Sequence, residues 1–164
     1  MNNYTFRYEP KKTDLIQIEE ILKASGFFKE SEVEIALSLF EDKINNKETS
    51  TYQFVILEDK DKILGYSCFG FIDGTETSFD LYWIAVNQNL KRKGFGTIIL
   101  KETERIIRRE EGVHIYIETS STPLYKPTRH FYEKNFYTIE ARIKDFYDIN
   151  DDKIIYSKKL IDNI

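Results

Sequence analysis

The residues best suited to chemistry lie in one stretch, Trp83-Ile84-Ala85-Val86-Asn87-Gln88-Asn89-Leu90-Lys91-Arg92-Lys93-Gly94-Phe95-Gly96-Thr97. An apolar, β-rich run passes into a basic loop, then Gly-x-Gly, then a helical pattern. The first turn of a helix offers backbone N–H groups that lack a helical acceptor, together with the positive end of the helix dipole. Glycines let a phosphate approach the backbone. Lys91, Arg92 and Lys93 add positive charge, so the segment predicts an anion site, with a pyrophosphate as the expected ligand. A P-loop requires Gly-Lys-Ser/Thr, whereas Gly94 is followed by Phe95-Gly96-Thr97. A dinucleotide fold requires a third glycine near Ile99 and an alternating βαβ chain, which are both missing. Taken alone, the segment reads equally well as a helix cap with a solvated basic face.

The elements that must position this loop follow from periodicity. Tyr4 to Tyr8 reads as a short opening strand. Thr13 is the expected cap of a helix with Leu15, Ile18, Ile21 and Leu22 on one face, ended by Gly26. Ser31 and Glu34 form a capping-box pattern for a second helix, whose apolar face holds Val33, Ala36, Leu37, Phe40 and Ile44. The period then changes to strands at Tyr52–Leu57, Ile63–Ile72 and Phe79–Val86, with Asp73-Gly74 as a turn. A helix after Gly96 carries Ile99, Thr103, Ile106 and Ile107 to about Glu111, and Gly112 ends it. Val113–Glu118 is a strand and Pro127–Lys134 a short helix. Tyr137–Tyr147 and Lys153–Leu160 form a closing strand pair. The crossover from Phe79 to Glu118 brings a parallel pairing into an otherwise antiparallel sheet.

The whole fits one domain of 164 residues, with residues 1–50 shaping one end, 51–123 the core and 124–164 the close. Composition excludes several classes. The chain is 41% hydrophobic and 32% charged, which is neither disordered nor fibrous. A net charge of −4 argues against a nucleic-acid partner and is compatible with cationic ligands such as amines. One cysteine, Cys68, rules out an internal disulfide and suits core packing. Two histidines, His114 and His130, make a metal centre unexpected; the first is expected half-buried in a strand, the second on the surface. Met1 to Tyr8 lacks an apolar signal core and no run is long enough to span a bilayer, so a cytoplasmic chain without a membrane role is expected. Arg105, Arg108 and Arg109 with Glu102, Glu104, Glu110 and Glu111 read as a solvated helix face.

The order of elements and Lys91-x-x-Gly94-x-Gly96 resemble the GNAT superfamily of N-acetyltransferases. Lys91 stands where Gln or Arg is usual in that signature. Phe131-Tyr132-Glu133-Lys134-Asn135 is similar to the superfamily's Phe-Tyr-Glu-Lys segment. Many members continue with Gly-Phe, where this chain has Phe136-Tyr137, and many carry Asn where it has Tyr125. The resemblance implies an α/β (α+β) fold with a mixed, twisted sheet of about seven strands and helices on both faces. It implies acetyl-coenzyme A as co-substrate, no metal, and direct attack by an amine in a ternary complex.

The resemblance also implies roles. Ile84, Ala85 and Val86 would bind the pantetheine arm like an added strand, with the Ile84 N–H as donor to the thioester oxygen. Lys91, Arg92, Lys93, Gly94, Phe95, Gly96 and Thr97 would hold the pyrophosphate. Tyr132 is the expected general acid, Asp80 the leading general base and Glu118 its rival. Phe27 and Phe28 would roof the acceptor cleft, with Tyr82 and Tyr125 also assigned to acceptor binding. A small-molecule amine is the expected acceptor, with a protein or peptide amine, or a non-catalytic coenzyme sensor, as alternatives. A homodimer is compatible with the resemblance.

Overall fold

The computed structural model describes residues 4–160. The elements in chain order are β1 (Thr5–Arg7), α1 (Asp14–Ser25), α2 (Glu30–Asn46), β2 (Gln53–Asp59), β3 (Lys62–Phe71), β4 (Ser78–Val86), α3 (Phe95–Arg109), β5 (His114–Ser120), α4 (Lys126–Lys134), β6 (Thr138–Asp148) and β7 (Asp151–Lys159). This is the order expected from periodicity. The strands form one seven-stranded sheet in the order β1-β2-β3-β4-β5-β7-β6. Only the β4–β5 ladder is parallel among the pairings described, and it is the one closed by the α3 crossover.

The chain divides into two compact units, one running to Gly70 and taking in Tyr82–Arg105, the other comprising Phe71–Leu81 and the chain from Ile106 onward. In the first unit, α1 and α2 bury Ile18, Leu22, Val33, Ala36 and Phe40 against Phe54 and Ile56 of β2 and Tyr66 and Cys68 of β3. The pairs Ile56↔Tyr66 and Phe54↔Cys68 put these strand residues on one face. The alternate residues meet α3: the Ser67 hydroxyl lies 2.7 Å from that of Thr103, and a Cβ at Gly65 would fall 2.8 Å from Ile99. That Cβ would also fall 2.7 Å from the Ala85 carbonyl oxygen, so glycine at this position serves the close approach of the β4 backbone as well as of α3.

Several local expectations give way to stronger partners. Thr13 makes no capping bond; Asp14 instead accepts from the Lys11 amide at 2.7 Å and pairs with the Arg7 guanidinium at 2.9 Å. The box at α2 is not Ser31 with Glu34 but two residues earlier: the Glu32 carboxylate accepts from the Lys29 amide at 2.7 Å. The charged face of α3 is not wholly solvated, because Glu104 is buried and Arg108 Nε donates to the Leu160 carbonyl. Gly112 follows α3 for want of space. A Cβ there would lie 2.3 Å from Ile107 Cγ2, while Glu111 carries the left-handed φ of 62°.

In the second unit, β5 and β7 pair from His114↔Lys159 to Ser120↔Lys153 and form its centre. Ile115 and Ile117 of β5 and Ile154 and Tyr156 of β7 are buried. The helix α4 packs through Tyr132, whose ring centroid lies 5.8 Å from that of Tyr156 and 6.0 Å from that of Tyr137. Arg129 anchors α4 to the end of β5 by donating to the Ser120 and Thr122 carbonyls at 2.7 and 2.9 Å.

Candidate active site

In the basic loop, the Asn87 side chain accepts from the Asn89 amide, and a single 3-10 turn spans Gln88–Leu90. Arg92 and Gly94 then take left-handed conformations, with φ of 64° and 83°. Successive turns of this kind point backbone N–H groups into a concavity that suits anions. α3 begins at Phe95, so the amides of Phe95 and Gly96 lie in its first turn, where no helical carbonyl can accept them. Lys91, Arg92, Lys93 and Gly94 are exposed. The sequence-predicted anion residues are thus brought together at one helix start. Lys91 differs from its two neighbours: its ammonium sits 4.7 Å from the Phe27 ring centroid, and desolvation lowers its pKa.

Phe27 and Phe28 lie in the short α1–α2 connection and are half-buried. Phe28 packs edge-on to Trp83 at 4.9 Å, joining the hydrophobic core of its unit. Tyr82 is exposed on β4 and meets Tyr52 at 5.5 Å. The β4–β5 ladder ends at Leu81↔Ile117, while β4 continues through Ile84 and Ala85 to Val86.

The expected acid and both expected bases belong to the second unit. Tyr132 is 5% exposed, and burial followed by its neighbour Tyr156 raises its pKa well above the ordinary tyrosine value. It therefore holds its proton through the neutral range. Asp80 stands opposite Tyr116 in the β4–β5 register, so it shares a face with His114, Tyr116 and Glu118. Its carboxyl is raised by burial first and by Glu118 second, and lowered by Lys153. Glu118 is paired with Lys153, Oε2 to Nζ at 2.7 Å. Periodicity and the superfamily resemblance did not single out Lys153; its charge and strand position gave no sign of a site partner.

Tyr125 is half-buried at the start of α4, on the N-terminal side of Pro127. His130 is exposed, 3.9 Å from Glu133, and His114 is half-buried beside Tyr116, as their positions predict. An open hollow of about 420 Å³ is lined by His114, Tyr116, Phe136 and Glu140 among others, and none of Asp80, Glu118 or Tyr132 lines it. Phe136 adopts a φ of 67° and is 82% exposed. No group of three potential metal ligands occurs among the described residues. No described helix is long and apolar enough to cross a membrane.

The fold is thus a mixed seven-stranded sheet with one parallel crossover, whose helix α3 starts at a glycine-containing basic loop. A model of the acetyltransferase (GNAT) family matches residues 15–136, and the chain belongs to that family. A GNAT-family acetyltransferase from Desulfovibrio desulfuricans is 34% identical over 96% of this chain and 99% of its own, with a TM-score of 0.94. An aminoglycoside 6'-N-acetyltransferase complexed with coenzyme A shares the fold at 18% identity, TM-score 0.72, covering 94% of each chain. An acetyltransferase from Salmonella typhimurium with its cofactor acetyl-CoA does so at 17% identity and TM-score 0.72, covering 99% of this chain and 96% of its own. No curated protein sequence matches the chain. The protein is an N-acetyltransferase of the GNAT type.

Proposed function

We propose that the chain transfers the acetyl group of acetyl-coenzyme A to the primary amine of a small molecule, by direct attack in a ternary complex. The observation that carries this reading is the loop from Lys91 to Thr97, where left-handed Arg92 and Gly94 lead into the first turn of α3. The residues fit a pyrophosphate. They offer amides without helical acceptors, three cations, and at Gly94 nothing within 4 Å of where a Cβ would stand. Fold relatives bound to coenzyme A and to acetyl-CoA support the same ligand.

The chain's own groups account for the proton movements of acetyl transfer. The acceptor ammonium must lose a proton before its nitrogen can attack, and Asp80, raised by burial, is the carboxylate suited to take it. The attacking nitrogen forms a bond to the acetyl carbon, the carbon–sulfur bond breaks, the departing thiolate takes the Tyr132 proton, and the second proton shed by the nitrogen as it becomes an amide returns to Tyr132. Burial keeps the Tyr132 proton in place through neutral pH. The Ile84 N–H is assigned to the oxygen on which negative charge develops. Phe27, Phe28, Tyr82 and Tyr125 are assigned to the acceptor. The net charge of −4 favours a cationic acceptor over an anionic one.

The test is an acceptor screen that detects thiol released from acetyl-coenzyme A over polyamines, amino acids, aminoglycosides and peptides, alongside thermal melting. Acetyl-coenzyme A should raise the melting temperature, because a ligand bound only by the native state stabilises it. Gly94→Asp or Gly96→Asp should abolish that rise. Release only with peptides would move the reading to a protein acceptor. Binding without release on any amine would favour a coenzyme sensor.

A further inference from the structure

The pairing of Glu118 with Lys153 changes what each carboxylate of the site can do. Lys153 lies on β7 opposite Ser120 and is two residues along the same face from Ile155, the partner of Glu118. Its ammonium bonds Glu118 at 2.7 Å and sits 3.7 Å from the Phe146 ring centroid and 5.8 Å from that of Tyr147. The Lys153 side chain is only 12% exposed, whereas that of Glu118 is 50% exposed.

We infer that Lys153 is a positioning residue for acetyl transfer: clamped between Glu118 and Phe146, it occupies Glu118 and leaves proton acceptance to Asp80. The inference rests on the acetyl-transfer reading above and deepens it.

The physical reason is an asymmetry of burial. A nearly buried ammonium is costly without a charged partner. The Glu118 carboxylate is engaged by Lys153, whose other neighbour is the Phe146 ring. Asp80 lies on the neighbouring strand of the same face and carries no such obligation. Other titratable groups on this face are Tyr82 of β4, His114 and Tyr116 of β5, Lys159 of β7 and Glu140 of β6, the last accepting from Ser157 at 2.8 Å. Of the charged groups, Glu118 and Lys153 are the two that act on the Asp80 carboxyl, in opposite senses. Lys153 thereby offsets part of the rise of the Asp80 carboxyl above the usual aspartate value.

Two titrations test this. The side-chain carboxyl resonance of Asp80, assigned by its loss in Asp80→Asn, is followed by carbon-detected NMR against pH. Turnover of the most active amine of the screen is followed over the same range. In Lys153→Met the Asp80 midpoint should move up and the rising limb of turnover should move up with it. In Glu118→Gln both should move down, and Lys153→Arg should restore wild-type behaviour. Opposite shifts from two substitutions within one ion pair are not produced by general loosening of the fold. An Asp80 midpoint unmoved in both Lys153→Met and Glu118→Gln would overturn the inference, whatever base the enzyme uses. A midpoint that moves while the turnover limb stays fixed would place proton acceptance elsewhere and overturn it too. Failure of the underlying reading is distinguishable: Asp80→Asn would then keep the wild-type turnover profile.

Discussion

The Lys91 ammonium lies 4.7 Å from the centroid of the Phe27 ring, so the basic loop ahead of α3 touches the α1–α2 connection. A contact of this type at a partly exposed position contributes about 0.5–1 kcal/mol. Lys91 therefore holds an aromatic proposed for the acceptor side while standing among the proposed pyrophosphate residues. Lys91→Met should weaken coenzyme A binding about tenfold by calorimetry, in the range of a lost charge-assisted hydrogen bond. Phe27→Leu should change coenzyme affinity by less than about twofold, on the same scale, and raise the acceptor KM instead. Equal effects of both substitutions on coenzyme affinity would contradict this division.

Tyr132 tests the general acid. Its ring is buried against Tyr137 and Tyr156, so Tyr132→Phe removes one oxygen and almost no packing. Turnover should fall roughly 100-fold, a typical share for a positioned acid, with coenzyme affinity unchanged. Because burial raises its pKa, the tyrosine should add no falling limb to the turnover profile at or below neutral pH. Wild-type turnover in the variant would remove Tyr132 from the mechanism.

Asp80 should also leave a mark on stability. Its folded-state pKa is raised by burial and then by Glu118, so ionisation costs the folded protein more than the unfolded chain. The native state is favoured below the unfolded value, about 4 for aspartate, and that advantage is lost as pH rises through the folded-state pKa. Asp80→Asn should thus melt above wild type at neutral pH, and the gap should close in acid. Thermal melts across the pH range check the sign. A gap that widens in acid would show a carboxylate stabilised, rather than strained, by its surroundings.

Gly112 separates space from conformation. Its added Cβ would meet Ile107 Cγ2 at 2.3 Å and Phe79 Cε2 at 2.7 Å, while the left-handed turn is carried by Glu111. Gly112→Ala should destabilise by about 1–3 kcal/mol, the usual cost of overpacking. Glu111→Gly should be far milder, because glycine adopts that φ without strain. Denaturant unfolding of the two variants ranks them.

Apolar periodicity and turn residues were enough to read the element order, the α1 and α2 faces, the parallel crossover and the anion loop, because these depend on neighbours a few positions away. Helix starts were read less well. Thr13 and Ser31 have the right local chemistry, but Arg7 reaching Asp14 from β1 and Glu32 closing on Lys29 supply the bonds made instead. The same limit applies to the site. Lys91 to Thr97 is contiguous, so its chemistry is legible in order along the chain. Asp80, Glu118 and Lys153 come from three strands, and only the register Asp80↔Tyr116 and Ser120↔Lys153 brings them to one face. Burial then decides the rest. The sequence determined that two carboxylates and a tyrosine were present, and the tertiary structure decided which carboxylate is tied to a lysine, because ion pairing and desolvation depend on distance through space.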